Sequence, residues 1–189
     1  MQRRTALAAL PALGLAAAAG PWARAQSPTQ NPAQSAPELA GLTLRGQGRF
    51  RYFGLAIYDA RLWSAEPVDP ARWAERPLTL ELQYARSLVG REIAKRSLVE
   101  MRRQATLSDA QAQAWLQAME AAFPDVKAGD RLTGQHEPGV GAQFLFNGQP
   151  RQRVADAQFA RLFFGIWLSP QTSEPALRAQ LLGSRDGQS

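Results

Sequence analysis

The stretch Leu78-Thr79-Leu80-Glu81-Leu82-Gln83-Tyr84 places an apolar residue at every second position. A period of two belongs to a strand, with Leu78, Leu80, Leu82 and Tyr84 on one face and Thr79, Glu81 and Gln83 on the other. It predicts a half-buried strand of an antiparallel sheet covered on one side. Upstream, residues 42–63 are rich in β-formers, among them Leu44, Phe50, Tyr52, Ile57, Tyr58 and Trp63. Gly46, Gly48 and Gly54 interrupt them as the turns or bulges of a strand pair would. Pro67, Pro70 and Pro77 mark residues 66–77 as a loop or short helical turn.

Downstream the period changes. Ile93, Ala94, Ser97, Leu98 and Met101 share one face of a helix over residues 90–105. Glu92, three before Lys95 and four before Arg96, marks an exposed opposite face. Ser108-Asp109-Ala110-Gln111 is a capping-box pattern, and the helix behind it carries Trp115, Leu116, Met119 and Phe123 before Pro124 stops it. Strands follow at residues 131–136 and 142–146, and Asn147-Gly148 turns the chain back into residues 149–154. Asp156 caps a helix with the apolar stripe Phe159, Leu162, Phe163, Ile166 and Trp167, ended by Pro170. Ser173-Glu174-Pro175 opens a last helix that Gly183 closes. Strands, two helices, strands, two helices make an α+β pattern: an antiparallel sheet with a helical layer on one face.

The 189 residues contain no repeat, so one domain spans residues 39–183, with a tail at 184–189. Zero Cys excludes disulfides, thiolate nucleophiles and Fe–S clusters, and one His excludes His-rich metal sites. A Ser-His-Asp triad would rest on His136 alone. That residue stands beside a Pro-Gly turn with no nucleophile or acid evident, and reads as an exposed turn residue. No phosphate-binding loop, dinucleotide fingerprint, His-Glu-x-x-His or nucleophile elbow occurs. No metal or cofactor is expected.

The N-terminus reads as an address. Arg3 and Arg4 precede an uncharged Ala/Leu-rich stretch broken by Pro11, and Ala23-Arg24-Ala25 offers a small-residue cleavage site. The layout predicts a signal peptide at residues 1–25, cleaved near Ala25, and a periplasmic protein. The Arg pair resembles a twin-arginine signal, while the absence of Phe after it leaves the general secretory route open. The apolar run is too short for a spanning helix of about 20 residues. Removing Arg3, Arg4 and Arg24 leaves 19 basic against 16 acidic residues, a net +3 that gives no argument for nucleic acid. Residues 26–38 hold three Pro among small polar residues and predict a disordered linker.

Several segments together resemble the bacterial chalcone isomerase-like family. They are Gly48-Arg49-Phe50-Arg51-Tyr52-Phe53-Gly54, Ile57-Tyr58-Asp59-Ala60-Arg61-Leu62-Trp63, the run from Ile93 to Arg103, Phe123-Pro124-Asp125-Val126-Lys127-Ala128-Gly129-Asp130 and Phe163-Phe164-Gly165-Ile166-Trp167-Leu168. The resemblance implies an open-faced β-sandwich: a large antiparallel sheet, a layer of helices on one face and a pocket between them. In relatives that pocket holds a flavonoid or a fatty acid. The plant enzymes add a phenolate to an enone, with an Arg that orients the phenolate and stabilises enolate charge.

The matching Arg is Arg49 or Arg51, with Arg51 favoured by the glycine spacing, and Tyr58 becomes a polar pocket residue. The other plant positions fall on Phe53, Ile93 and Glu100, and near Ile166. Ile and Phe cannot move protons, which argues against chalcone isomerisation. Glu100 becomes a candidate ion-pair partner of the pocket Arg, and Ile93 a lining residue beside Phe159 and Phe163. The leading expectation is a non-catalytic binder of a small apolar or carboxylate ligand such as a fatty acid. An isomerase or lyase acting on an enone comes second, and a pocketless interaction protein with a filled core third. Protein partners are left open.

Exported protein should have an intact mass that begins at Gln26. Soluble protein retaining residues 1–25 would show the address reading wrong, and Arg3→Lys with Arg4→Lys should stop export only on the twin-arginine route.

Overall fold

Six strands form one antiparallel sheet in the order of the chain: β1 (Thr43–Tyr52), β2 (Leu55–Ser64), β3 (Leu78–Tyr84), β4 (Arg131–Glu137), β5 (Gly141–Phe146) and β6 (Gln149–Val154). The helices α1 (Gly90–Arg102) and α2 (Asp109–Ala122) are inserted between β3 and β4, and α3 (Ala157–Leu168) and α4 (Pro175–Leu182) follow β6. This computed structural model describes residues 36–183. The expected signal, most of the expected linker and the expected tail at 184–189 lie outside the described residues. The fold is the expected α+β arrangement of a large antiparallel sheet with one helical layer.

Local chemistry places the helix starts. Ser108 Oγ accepts from the Gln111 amide at 3.2 Å, as the capping pattern requires. Asp156 accepts from the Phe159 amide at 2.9 Å and also from the Trp115 indole at 2.9 Å, so one carboxylate caps α3 and ties it to α2. Both two-residue hairpins have positive φ at their central positions: Phe53 and Gly54 at 47° and 78°, Asn147 and Gly148 at 49° and 81°.

The core lies between sheet and helices. Phe144 of β5 is fully buried, with ring centroids of Phe123, Phe159 and Phe163 at 5.2, 6.1 and 5.0 Å. Gly134 of β4 leaves room for the Phe164 ring, which a Cβ would meet at 3.1 Å. α3 packs on β4 and β5, α2 on β6, and α4 on β1, whereas α1 packs mainly on α2 and α3. Over the β1–β3 end of the sheet, α1 is therefore a roof rather than a lid pressed onto the strands.

Two expectations need correction. β3 is not half-buried: Thr79 and Glu81 are as enclosed as the leucines, at 4 % and 1 % exposure. The far face of the sheet is covered by a short turn at Pro37–Leu39, where Ala36 and Leu39 pack on Trp63. The last residues of the expected linker are thus part of the fold. Glu81 tolerates burial because Arg61 and Arg131 reach it at 2.8 and 3.2 Å.

α4 reaches β1 through two glycines. A Cβ on Gly46 would run into the Gln180 and Leu181 carbonyls, and one on Gly48 into the Leu177 and Gln180 side chains. Backbone cannot yield as a side-chain tip can, so Gly46→Ala should destabilise the protein by about 1–3 kcal/mol. Urea unfolding measures it, and an unchanged midpoint would mean that α4 is not seated as described.

Candidate functional site

A cavity of about 350 Å³ lies under α1 at the β1–β3 end of the sheet. Its floor is Phe50 and Tyr52 of β1, Tyr58 of β2 and Tyr84 of β3; its roof is Ile93, Ser97 and Glu100 of α1. Phe163, Ile166 and Trp167 of α3 close the inner wall, and Glu92, Arg96 and Glu174 stand around its edge. The core is therefore not filled, and the pocketless alternative fails. Among the described residues no cluster of three or more His, Asp or Glu is placed to hold a metal.

Two phenols supply the polarity inside. Tyr58 Oη accepts from the Trp167 indole at 3.0 Å, and no described side chain or carbonyl accepts the phenol's own proton. Tyr84, ring centroid 6.0 Å from Tyr58, makes no side-chain hydrogen bond among the described residues. Burial pushes both phenols well above the usual tyrosine range. Glu174 and Glu100 push Tyr58 further up and Arg96 opposes them. Both hydroxyls stay protonated at neutral pH and offer hydrogen-bond donors to a guest.

The ion pair at the roof differs from the one expected. Glu100 is buried at 7 % exposure, with Arg96 at 2.5 Å and Arg103 at 3.5 Å. Arg49 and Arg51 share one strand face, the face away from the cavity. Phe50 and Tyr52 take the inward positions, Phe50 stacking on Tyr58 at 5.1 Å. Arg49 instead meets Asp59, its cross-strand partner, through hydrogen bonds of 2.6 and 2.9 Å at the surface. That pairing holds the Asp59 carboxyl below its usual range. Arg51 is exposed and donates to the Gly54 carbonyl at 3.2 Å.

Of the expected residues, Tyr58, Glu100 and Ile93 meet at the cavity, and Arg49 and Arg51 do not. Phe159 sits in the closed core behind Phe163. The arginine beside the cavity is Arg96, which the sequence reading placed on the outer face of α1. Its signal was the spacing 93, 96, 97, 100, which is one helical face.

His136 is not an exposed turn residue. It is 3 % exposed, packed between Trp73 and Phe164, and its Nε2 lies 3.0 Å from the Ala74 carbonyl. β4 runs one residue further than expected, and the loop at Trp73–Glu75 covers the ring.

A family model described as "Chalcone isomerase-like" matches residues 25–183. The chain belongs to the chalcone isomerase-like family. It is 36 % identical over 109 residues to an uncharacterized protein of Haemophilus influenzae. The match takes in 58 % of this chain and spans about half, 53 %, of that relative. Among solved structures it is similar to a fatty-acid binding protein of Arabidopsis thaliana, with a TM-score of 0.58 at 12 % identity. That likeness covers 76 % of this chain and 87 % of the plant chain, and at such identity it speaks for the chalcone isomerase-like fold.

Burial depresses the His136 pKa below its ordinary value near 6.5. The unfolded chain then binds more protons than the folded one below that pH, so acid favours unfolding. Unfolding midpoints should fall as the pH drops below about 6.5, and His136→Gln should flatten this slope. An equal slope in both proteins would remove His136 as its source.

Proposed function

We propose that this protein is an exported, non-catalytic binder of a small apolar acid such as a fatty acid, held between α1 and the sheet. The carrying observation is the cavity itself: apolar walls, two protonated phenols inside and one arginine at the edge. An acyl chain fits walls such as Phe50, Ile93, Phe163 and Ile166, and its carboxylate can accept from Tyr58 and Arg96. The family membership and the fatty-acid binding protein among its structural neighbours support this reading. Periplasmic location rests on the N-terminal sequence.

Turnover of an enone is the alternative that Tyr58 would serve. It is the weaker reading, because a phenol with a raised pKa is a poor acid. The family-motif arginines, Arg49 and Arg51, are also on the wrong face to stabilise an enolate in the cavity. Chalcone should not cyclise above background, and a saturable rate abolished by Tyr58→Phe would establish the enzyme reading instead.

Arg96 is shared between the guest and Glu100. Arg96→Ala should weaken a fluorescent fatty-acid probe about tenfold or more, the usual worth of a charge-assisted hydrogen bond. Glu100→Gln should tighten it by releasing Arg96 from its partner. Arg49→Ala and Arg51→Ala should leave the solution affinity unchanged. No probe binding by the wild-type protein would overturn the binder reading, and indifference to the Arg96 and Glu100 changes would overturn the anchor.

A further inference from the structure

The tip of the β1–β2 hairpin is apolar where a hairpin tip is ordinarily polar. Phe53 is 88 % exposed, Leu55 55 % and Tyr52 54 %. Beside them Val89, at the start of α1, is 51 % exposed. Tyr52 and Val89 also line the cavity, so the patch runs into its opening.

The tip is costly in backbone energy as well. Phe53 holds φ 47° ahead of Gly54 at 78°, almost the backbone of the other hairpin at 49° and 81°. There the chain uses Asn147-Gly148, the residues such a turn favours. A bulky aromatic in the left-handed region is an outlier, and this one has its ring against Tyr52 at 4.5 Å yet stays almost wholly in water, so it gains little packing to offset the strain.

Exposed arginines stand on the tip and on the segment that runs past its base. The Arg51 guanidinium lies on the Gly54 carbonyl. The segment carrying Arg86 and Arg91 passes alongside, held by the Ala85 amide on the Ile57 carbonyl at 2.9 Å. Arg51, Arg86 and Arg91 are exposed and in no ion pair among the described residues. The nearby Glu92 is neutralised by Lys95 at 2.8 Å.

We propose that the β1–β2 hairpin tip docks the protein on an anionic lipid bilayer, Phe53 and Leu55 entering the headgroup boundary and Arg51, Arg86 and Arg91 meeting the headgroups, so that the cavity opens onto the membrane. The proposal rests on the binder reading for its purpose, exchange of an apolar acid with the bilayer. A convex apolar point with a basic collar suits a soft, negatively charged surface better than a protein groove, and an aromatic ring is at home at the lipid–water boundary.

Phe53→Asn separates docking from folding, since Asn suits the turn and removes the ring. The soluble protein as the cell produces it should co-sediment with phosphatidylglycerol/phosphatidylcholine vesicles, less so as salt rises and hardly at all with phosphatidylcholine alone. Phe53→Asn should lower vesicle affinity about tenfold or more while raising the unfolding midpoint and leaving probe affinity in solution unchanged. Arg86→Ala with Arg91→Ala should weaken binding and reduce its salt dependence. Wild-type protein that binds the probe but not the vesicles overturns the docking proposal alone. Vesicle binding that survives Phe53→Asn, or self-association that Phe53→Asn abolishes, overturns it too, the latter in favour of a second copy as the partner. Loss of probe binding with vesicle binding intact strikes the binder reading and leaves the docking surface standing.

Discussion

The ring of Phe163 divides this molecule. On one side it packs against Phe123, Phe144, Phe159 and Phe164, with centroids 5.0 to 5.8 Å away. On the other it forms the inner wall of the cavity, next to Trp167. Aromatic rings at these separations gain from edge-to-face and offset contacts beyond simple burial, and they leave little freedom to collapse. The filled half of the fold thus fixes α3 firmly, and α3 with α2 carries α1. The gap below α1 persists because its support comes from the neighbouring helices and not from the strands beneath it.

The sheet under that gap is stiffened from behind. Glu81, at 1 % exposure, is clamped by Arg61 and Arg131, and the turn at Pro37–Leu39 seals the area with Ala36 and Leu39 against Trp63. Glu38 enters the same region with its carboxylate 3.8 Å from Arg131 and no hydrogen bond of its own. Buried charges of this kind add little net stability, yet removing one partner is severe, since the survivor stays buried and unpaired. β2, β3 and β4 are held in register by these side chains as well as by their backbone ladder, and Tyr58 and Tyr84 are positioned from a rigid floor.

The chemistry of the cavity follows from what burial does to each group. Two phenols, neutral at physiological pH in any case, are made harder still to ionise by the low-dielectric wall. The single arginine is exposed and shares its charge with the buried Glu100. It is on this lining, apolar walls with two phenols and one arginine, that the proposed binder reading rests.

Apolar spacing, β-forming composition and the turn and cap residues together were enough to place six strands and four helices, because burial of one face and the ends of an element are both written locally in the chain. The turns at Asn147-Gly148 and Gly54 were equally legible, since few residues tolerate their backbone. Tyr58, Ile93 and Glu100 could be assigned to the pocket from the family resemblance, and Arg49 and Arg51 could be placed on a common strand face. Which face turned inward was not a local property: it was decided when Phe50 stacked on Tyr58 and Asp59 offered Arg49 a partner across the sheet. Arg96 is exposed, as its place on the outer face of the helix predicts; that it also borders the cavity could not be read, because helical spacing groups residues without saying how far the helix stands from its neighbours. The second buried face of β3 and the burial of His136 depended on the segments at Pro37–Leu39 and Trp73–Glu75, which carry no period of their own and gain their positions only from the surfaces they cover. Spacing along a chain therefore determined the elements and their faces, and the tertiary structure alone decided what each face meets, because contacts between distant segments are set by packing and charge pairing in three dimensions.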